Sequence, residues 1–131
     1  MEAKIVRVAA AVIRNQGSFL LAKRPSNKAQ GGLWEFPGGK IEHGETAQEA
    51  LARELIEELD ASNVVVGAQV GISKYNYGDL TVQIEAYWVT CDLKSLKNLE
   101  HEEIGWFAPD IFNQVPLAPA DRFLQPLLMG L

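Results

Sequence analysis

Residues Gly39 to Asp60 read GKIEHGETAQEALARELIEELD. Ala47, Ala50, Leu51, Leu55 and Leu59 recur at helical spacing, so this run is predicted to be a helix. Thr46 at its start suits an N-cap, and Glu49 three residues later completes a capping box. Leu51, Leu55 and Leu59 form an apolar face that should pack on a sheet. Glu54, Glu57 and Glu58 stand at i, i+3 and i+4 and share a neighbouring face. Carboxylates at that spacing repel one another and cost helix stability. A shared divalent cation would remove the penalty, and carboxylate oxygens suit a hard ion such as Mg²⁺ or Mn²⁺. An acidic run of this kind is often only a solvated face. Arg53 inside the cluster and Gly38-Gly39 just ahead of it fit a site better. No GKS or GKT follows the glycines, which separates the motif from a P-loop.

Outward from the helix the chain alternates strand and loop. Ile5–Ile13 is rich in Val, Ile and Ala and reads as a buried strand. Asn15-Gln16-Gly17-Ser18 is a turn, and Phe19–Lys23 returns as its hairpin partner. Arg24–Gly32 is a polar loop, Leu33–Phe36 a short aromatic stretch, and Pro37-Gly38-Gly39 a turn toward the helix. Val64–Lys74 and Thr81–Asp92 form a second hairpin around Tyr75–Asp79. Glu103–Phe107 reads as a short strand and Pro109–Asn113 as a helical turn. Ala120–Met129 reads as a closing helix that Pro126 shortens or kinks. Strands alternating with two helices predict an α/β sandwich with a mixed sheet.

A chain of 131 residues, 47% apolar and 22% charged, is expected to form one soluble domain, 1–131. Its net charge of −5 argues against nucleic-acid polymers and acidic membranes as partners. Cys91 is the only cysteine, so no internal disulfide forms and a cytoplasmic location fits. Cys91, Trp88 and Trp106 read as core residues, and His43 and His101 as loop residues without metal-ligand spacing. Met1–Ile13 is too short an apolar run, with Arg7 inside it, for a signal peptide or a membrane span. No feature distinguishes a monomer from a homodimer.

Written as a template, the central stretch is Gly39, five residues, Glu45, seven residues, then Arg53-Glu54-Leu55-Ile56-Glu57-Glu58. This resembles the signature of the Nudix hydrolases and fills its first glycine and all five of its fixed polar positions. Trp34–Glu42 (WEFPGGKIE), Leu20–Pro25, Glu100–Trp106 and Pro116–Asp121 resemble further landmarks of the MutT-type nucleoside triphosphate pyrophosphohydrolases, in the same order. The last of these is nearest to the CTP pyrophosphohydrolase branch. Asp60 and Ala61 depart from the signature, which has Gly and a larger apolar residue there. Both lie at the helix end, so they bear on its cap rather than on the acids.

The resemblance implies a Nudix-type α/β/α sandwich with a mixed sheet and two main helices. It implies Mg²⁺- or Mn²⁺-dependent hydrolysis of a nucleoside triphosphate, a small-molecule substrate, to monophosphate and pyrophosphate, as in nucleotide pool sanitation. The Gly39 carbonyl, Glu54, Glu57, Glu58 and Glu100 would be metal ligands. Arg53 would orient Glu54, and Glu54 or Glu100 would be the general base, while Glu45 reads as support. Arg24, Phe36, Gly38 and Lys40 would line the substrate site, with Lys23 and Lys74 weaker phosphate contacts. Asp121 would read the base. An ionised Asp121 only accepts and favours the cytosine amine; a protonated one also donates and admits oxidised purines such as 8-oxo-dGTP. Asp121 alternatively caps the last helix, and Tyr75 or Tyr77 stack on the base or pack the hairpin. A non-catalytic nucleotide sensor on the same fold and a hydrolase of some other diphosphate are the competing readings.

Overall fold

The computed structural model describes residues 4–131, so the first three residues of the expected domain and of the Met1–Ile13 segment lie outside the described residues. Strand β1 (Lys4–Asn15) organises the sheet. Five consecutive residues, Ala9 to Ile13, are buried in it, because both faces of the strand are covered. The turn at Gln16-Gly17, with Gln16 at φ 57°, leads into β2 (Ser18–Lys23), which carries β3 (Trp34–Glu35). Strands β5 (Val65–Asn76) and β6 (Leu80–Thr90) form the second hairpin. Strand β6 runs parallel to β1 from Lys4↔Leu80 to Ile13↔Val89 while the other pairings are antiparallel, so the sheet is mixed, in the order β3-β2-β1-β6-β5. Strand β7 (Glu103–Phe107) adds to the other edge of β2.

The Pro37-Gly38-Gly39 segment is not a turn. Gly38–Lys40 forms a strand, β4, antiparallel to Val8–Ala10 of β1. Gly38, at φ 151°, lies so close to β1 that a methyl group there would run into the Ala9 carbonyl oxygen. The glycines serve backbone approach rather than chain reversal.

Helix α1 spans Ala47–Leu59 with Thr46 as N-cap and a complete capping box to Glu49. Asp60 ends it in the left-handed conformation (φ 52°, ψ 35°), the place a Gly would normally take. Leu51, Leu55 and Leu59 are fully buried against Ala9, Ala11, Ile13 and Leu20. The opposite face of the sheet packs Ala10, Val12, Phe36, Ile84 and Ala86 under the C-terminal segment. There the expected long helix is a 3-10 turn (Pro119–Asp121) followed by five residues of helix, α2 (Leu124–Leu128). Pro126 lacks an N–H and is tolerated only in a first turn, which leaves the helix no interior. Leu124 and Leu128 still anchor it fully buried.

Three smaller expectations change. Trp106 points outward, 37% exposed, while its neighbour Phe107 packs edge-on against Trp34 at 5.0 Å. Trp88 is half-buried at the margin of the core. Cys91 lies just past the end of β6 and is half-buried. No helix among the described residues is long and apolar enough to cross a membrane.

If the Leu face seats α1, Leu55→Ala should lower unfolding free energy by about 2–5 kcal/mol. Ile56→Ala, on a residue 54% exposed, should change little. Urea denaturation checks both; similar losses would mean that α1 is held by another face.

Candidate active site

The site forms where β4 passes beneath α1. Gly39 abuts Glu54, and a methyl group at Gly39 would occupy the space of that carboxyl group. Arg53 fastens the two elements. Its Nε and one terminal nitrogen donate to the two Glu45 oxygens at 2.7 and 2.9 Å, a bidentate pairing. Its other terminal nitrogen donates to Glu54 Oε1 at 2.9 Å and lies 3.6 Å from Glu57. A further bond reaches the Lys40 carbonyl at 3.2 Å. These hydrogen bonds, with one from the Glu42 N–H, hold the Glu45 carboxyl down at about 2 and raise the Arg53 guanidinium above its usual value. Glu45 is therefore the anchor of Arg53, as its reading as support had it.

The three box acids sit in different surroundings. The Glu57 side chain is 51% exposed, Glu54 is 17% exposed beside Arg53, and Glu58 is 5% exposed. Burial raises the Glu58 carboxyl far above the usual carboxylate range, and the nearby Glu54, Glu35 and Glu100 add to the effect. Its Oε1 is buried without a hydrogen-bond partner. An orphaned carboxylate oxygen hemmed in by other acids is an environment that a divalent cation relieves, so these residues fit a metal. Among the described residues no three His, Cys, Asp or Glu side chains already converge into a ligand cluster. Backbone, water or phosphate oxygens would have to complete the shell, as Mg²⁺ sites commonly arrange.

His101 was expected to be an ordinary loop residue and is instead part of this site. Its side chain is 8% exposed, with Nε2 3.6 Å from Glu58 Oε1 and 3.8 Å from Glu35 Oε2. Glu35 is the second residue that sequence reasoning missed. It accepts from Arg24 at 3.3 Å, while Arg24 Nε donates to the Ala29 carbonyl at 2.8 Å. The one available signal was its place between Trp34 and Phe36, which puts it on the opposite side of a short strand from the core tryptophan. Glu100 lies on the exposed loop before β7, near enough to Glu58 to act on it electrostatically.

A cleft of 490 Å³ opens from Gly38, Gly39 and Lys40 across the sheet, a size ordinary for a small-molecule site. Arg24, Glu35 and Phe36 line it as well, with Tyr77, Ala118, Ala120 and Asp121. Ala118 is brought in by backbone pairing: the Trp34 N–H donates to the Pro116 carbonyl at 2.8 Å and the Ala118 N–H to the Trp34 carbonyl at 2.7 Å. Asp121, 4% exposed, then accepts from the Phe36 N–H through Oδ2 at 2.9 Å. It does not cap α2, whose first turn carries no side-chain cap. Burial pushes the Asp121 carboxyl well up, and the charge of Glu35 adds to this. Phe36 is buried edge-on to Phe112 and contributes to the wall. The Tyr77 hydroxyl accepts from the Ala120 N–H at 3.2 Å, whereas Tyr75 packs beside Tyr77 on the hairpin. Lys23 pairs with Glu102, and Lys74 lies outside the cleft.

This arrangement of a glycine strand under an acidic helix beside a mixed-sheet cleft is that of a known class. The chain belongs to the Nudix hydrolase family: residues 8–124 match the model described as NUDIX domain. It is 39% identical over 128 residues to the CTP pyrophosphohydrolase of Escherichia coli K12, covering 98% of this chain and 94% of that protein. It is 36% identical over 117 residues to the putative 8-oxo-dGTP diphosphatase 2 of Mycobacterium tuberculosis H37Rv, covering 88% and 81%. Among solved structures, the E. coli ORF135 protein superposes with a TM-score of 0.83 at 38% identity, covering 98% of this chain and 91% of that one. The MutT protein of Methanosarcina mazei Go1 also gives 0.83, at 28% identity, covering 98% and 95%. Members of this family generally require a divalent metal.

Because the folded Glu45 titrates below its ordinary value, its pairing with Arg53 adds stability above about pH 4.5 that is lost as pH falls toward 2. Glu45→Gln should therefore be less stable than the parent near neutrality, with the gap closing on acidification. Urea midpoints down the pH range test this; a gap independent of pH would sink the assignment.

Proposed function

We propose that the chain, as one Nudix domain, is a Mg²⁺-dependent pyrophosphohydrolase of (deoxy)nucleoside triphosphates, acting on cytosine or modified nucleotides in nucleotide pool sanitation. The observation that carries the substrate reading is Asp121, buried in the lining of the cleft and bonded to the Phe36 N–H. The two full-length relatives named above, one called a CTP pyrophosphohydrolase and the other a putative 8-oxo-dGTP diphosphatase, support the reaction class.

In this reading the Gly39 carbonyl, Glu54, Glu57, Glu58 and Glu100 would hold the metal. A bound cation supplies charge neutralisation on the phosphates and a more acidic water. Arg53 fixes the Glu54 carboxylate in place through a charge-assisted bond. Glu54 or Glu100 accepts the proton of the attacking water, whose oxygen joins phosphorus as the bridging bond to pyrophosphate breaks. Arg24 and Lys40 orient the phosphates, and Gly38 with Phe36 shapes the floor of the cleft. Arg24 is steadied for this by Glu35 and the Ala29 carbonyl.

The raised Asp121 titration favours the neutral acid, which offers a donor and an acceptor side by side. Cytosine presents the matching acceptor and donor at N3 and N4, and the O6/N7–H edge of an 8-oxoguanine presents a similar pair. The neutral acid thus accommodates both substrates and leaves the choice to the walls of the cleft.

Pyrophosphate release with Mg²⁺ across CTP, dCTP, 5-methyl-dCTP, 5-hydroxy-dCTP, 8-oxo-dGTP, 2-hydroxy-dATP and the ordinary dNTPs, with AMP release from ADP-ribose alongside, tests the reading. Cytosine nucleotides are expected to lead. A lead for 8-oxo-dGTP would replace the substrate, and no release with tight nucleotide binding would make the domain a sensor. Glu57→Gln and Glu58→Gln should each lose upward of ~100-fold in kcat, beyond what loss of an outer-sphere partner costs. Retained turnover in both would remove the metal assignment.

Asp121→Asn keeps a donor and an acceptor and should keep the preferred base. In the parent enzyme the preference for cytosine over 8-oxoguanine should sharpen as pH rises through the elevated Asp121 value, because the ionised carboxylate only accepts, and in Asp121→Asn it should not. The ratio of kcat/KM for the best and second-best nucleotides, followed against pH, reads this directly. A parent ratio that is flat with pH would mean that Asp121 does not exchange its proton during recognition.

A further inference from the structure

The loop before β7 carries Glu100, and its backbone is fastened to the end of α1. The Lys97 N–H donates to the Leu59 carbonyl at 2.8 Å and the Leu99 N–H to the Glu58 carbonyl at 2.9 Å. These are two of the carbonyls that a helix C-terminus leaves without partners, so the loop caps the helix. Beyond Leu99 that fastening stops, and a side chain takes over. Asn98 Nδ2 donates to the His101 carbonyl at 2.8 Å, and the His101 N–H donates to Asn98 Oδ1 at 2.9 Å. One amide thus makes both bonds of a closed clip around Leu99 and Glu100. On the far side the Glu102 N–H donates to the Lys23 carbonyl at 3.0 Å. Inside the clip the His101 imidazole is buried between Glu58 and Glu35, filling the space under the loop.

Asn98 itself is exposed. It supports no core, and the loop ends are already held by backbone bonds. Only the geometry of Leu99, Glu100 and His101 depends on it.

We propose that Asn98 is a positioning residue. It sets the Glu100 carboxylate against the acids of α1 and seats His101 between Glu58 and Glu35, so that the base and ligand functions of the site share one rigid frame. The inference rests on the reading above, in which Glu100 works at the acid site.

Asn98→Ala should lower kcat by ~10- to 100-fold, the loss typical of a partner that orients a ligating or catalytic group. KM should stay nearly constant and the urea midpoint should not move. Asn98→Asp keeps the acceptor for the His101 N–H but loses the donor, so it should recover part of kcat. In a Glu100→Gln background Asn98→Ala should cost less than it does in the parent, because part of its effect runs through Glu100. Amide hydrogen exchange supplies a readout independent of turnover. Protection of the His101 N–H should vanish in Asn98→Ala and return in Asn98→Asp, while the Leu99 N–H stays protected. Full kcat in Asn98→Ala, or losses that multiply with Glu100→Gln, would overturn the proposal even while Glu57→Gln remains inactive. If the parent enzyme turns over no nucleotide, the reading of function fails instead, and unchanged His101 exchange in Asn98→Ala would independently overturn the clip.

Discussion

The Arg53 guanidinium is the interaction on which the site depends. It bonds both Glu45 oxygens, one Glu54 oxygen and the Lys40 carbonyl, so one side chain joins the loop after β4 to the middle of α1. Without it Glu54 would face Glu58 with no compensating charge, and the helix would bear the repulsion of its own acids. A lysine could supply the charge but not the planar fork that meets two carboxylates and a carbonyl at once. The signature spacing follows from this geometry. Glu45 precedes the helix so that it can return to a residue two turns in, and Glu54 follows Arg53 directly so that the fork reaches it sideways.

Backbone approach is the second constraint. Gly38 lets β4 lie against β1, and Gly39 leaves room for the Glu54 carboxyl group. The acids on α1 are therefore referenced to the most deeply buried strand of the sheet and not to a loop. Sites held this way on packed elements keep their geometry when substrates come and go. The same strand pairing puts Gly38, Gly39 and Lys40 in the lining of the cleft, with Gly39 against Glu54 of α1.

Features whose cause is local were legible in the sequence. The capping box at Thr46 and Glu49, the leucine face and both hairpins depend on residues a few positions apart. What was not legible depends on distant partners. Gly38-Gly39 looked like a turn because glycine punctuates chains, and only the position of Ala9 explains the strand. Asp121 preceded an apolar run as a cap would, yet its partner is the Phe36 N–H, 85 residues away in sequence. His101 lay in a polar loop with no periodicity, and its burial arises from Glu35 and Glu58, which belong to other elements. Pro126 was visible, but its consequence was underestimated: with α2 starting at Leu124, there is no room for a helix interior around it.

The charge of the molecule has an organisation that its net value of −5 conceals. Lys4, Arg24 and Lys40 line the cleft together with Glu35 and Asp121. The acids stand behind Gly39, where a metal can be shared between protein and phosphate. Two buried carboxyls, Glu58 and Asp121, are pushed toward their neutral forms. The causes are alike but the consequences differ. Glu58 has an unpartnered oxygen beside other acids, an environment that a cation would relieve. Asp121 has one oxygen committed to a backbone N–H and lines the cleft beside Phe36, Ala118 and Ala120. Burial thus acts on both carboxyls alike, and the difference between them lies in what stands next to each.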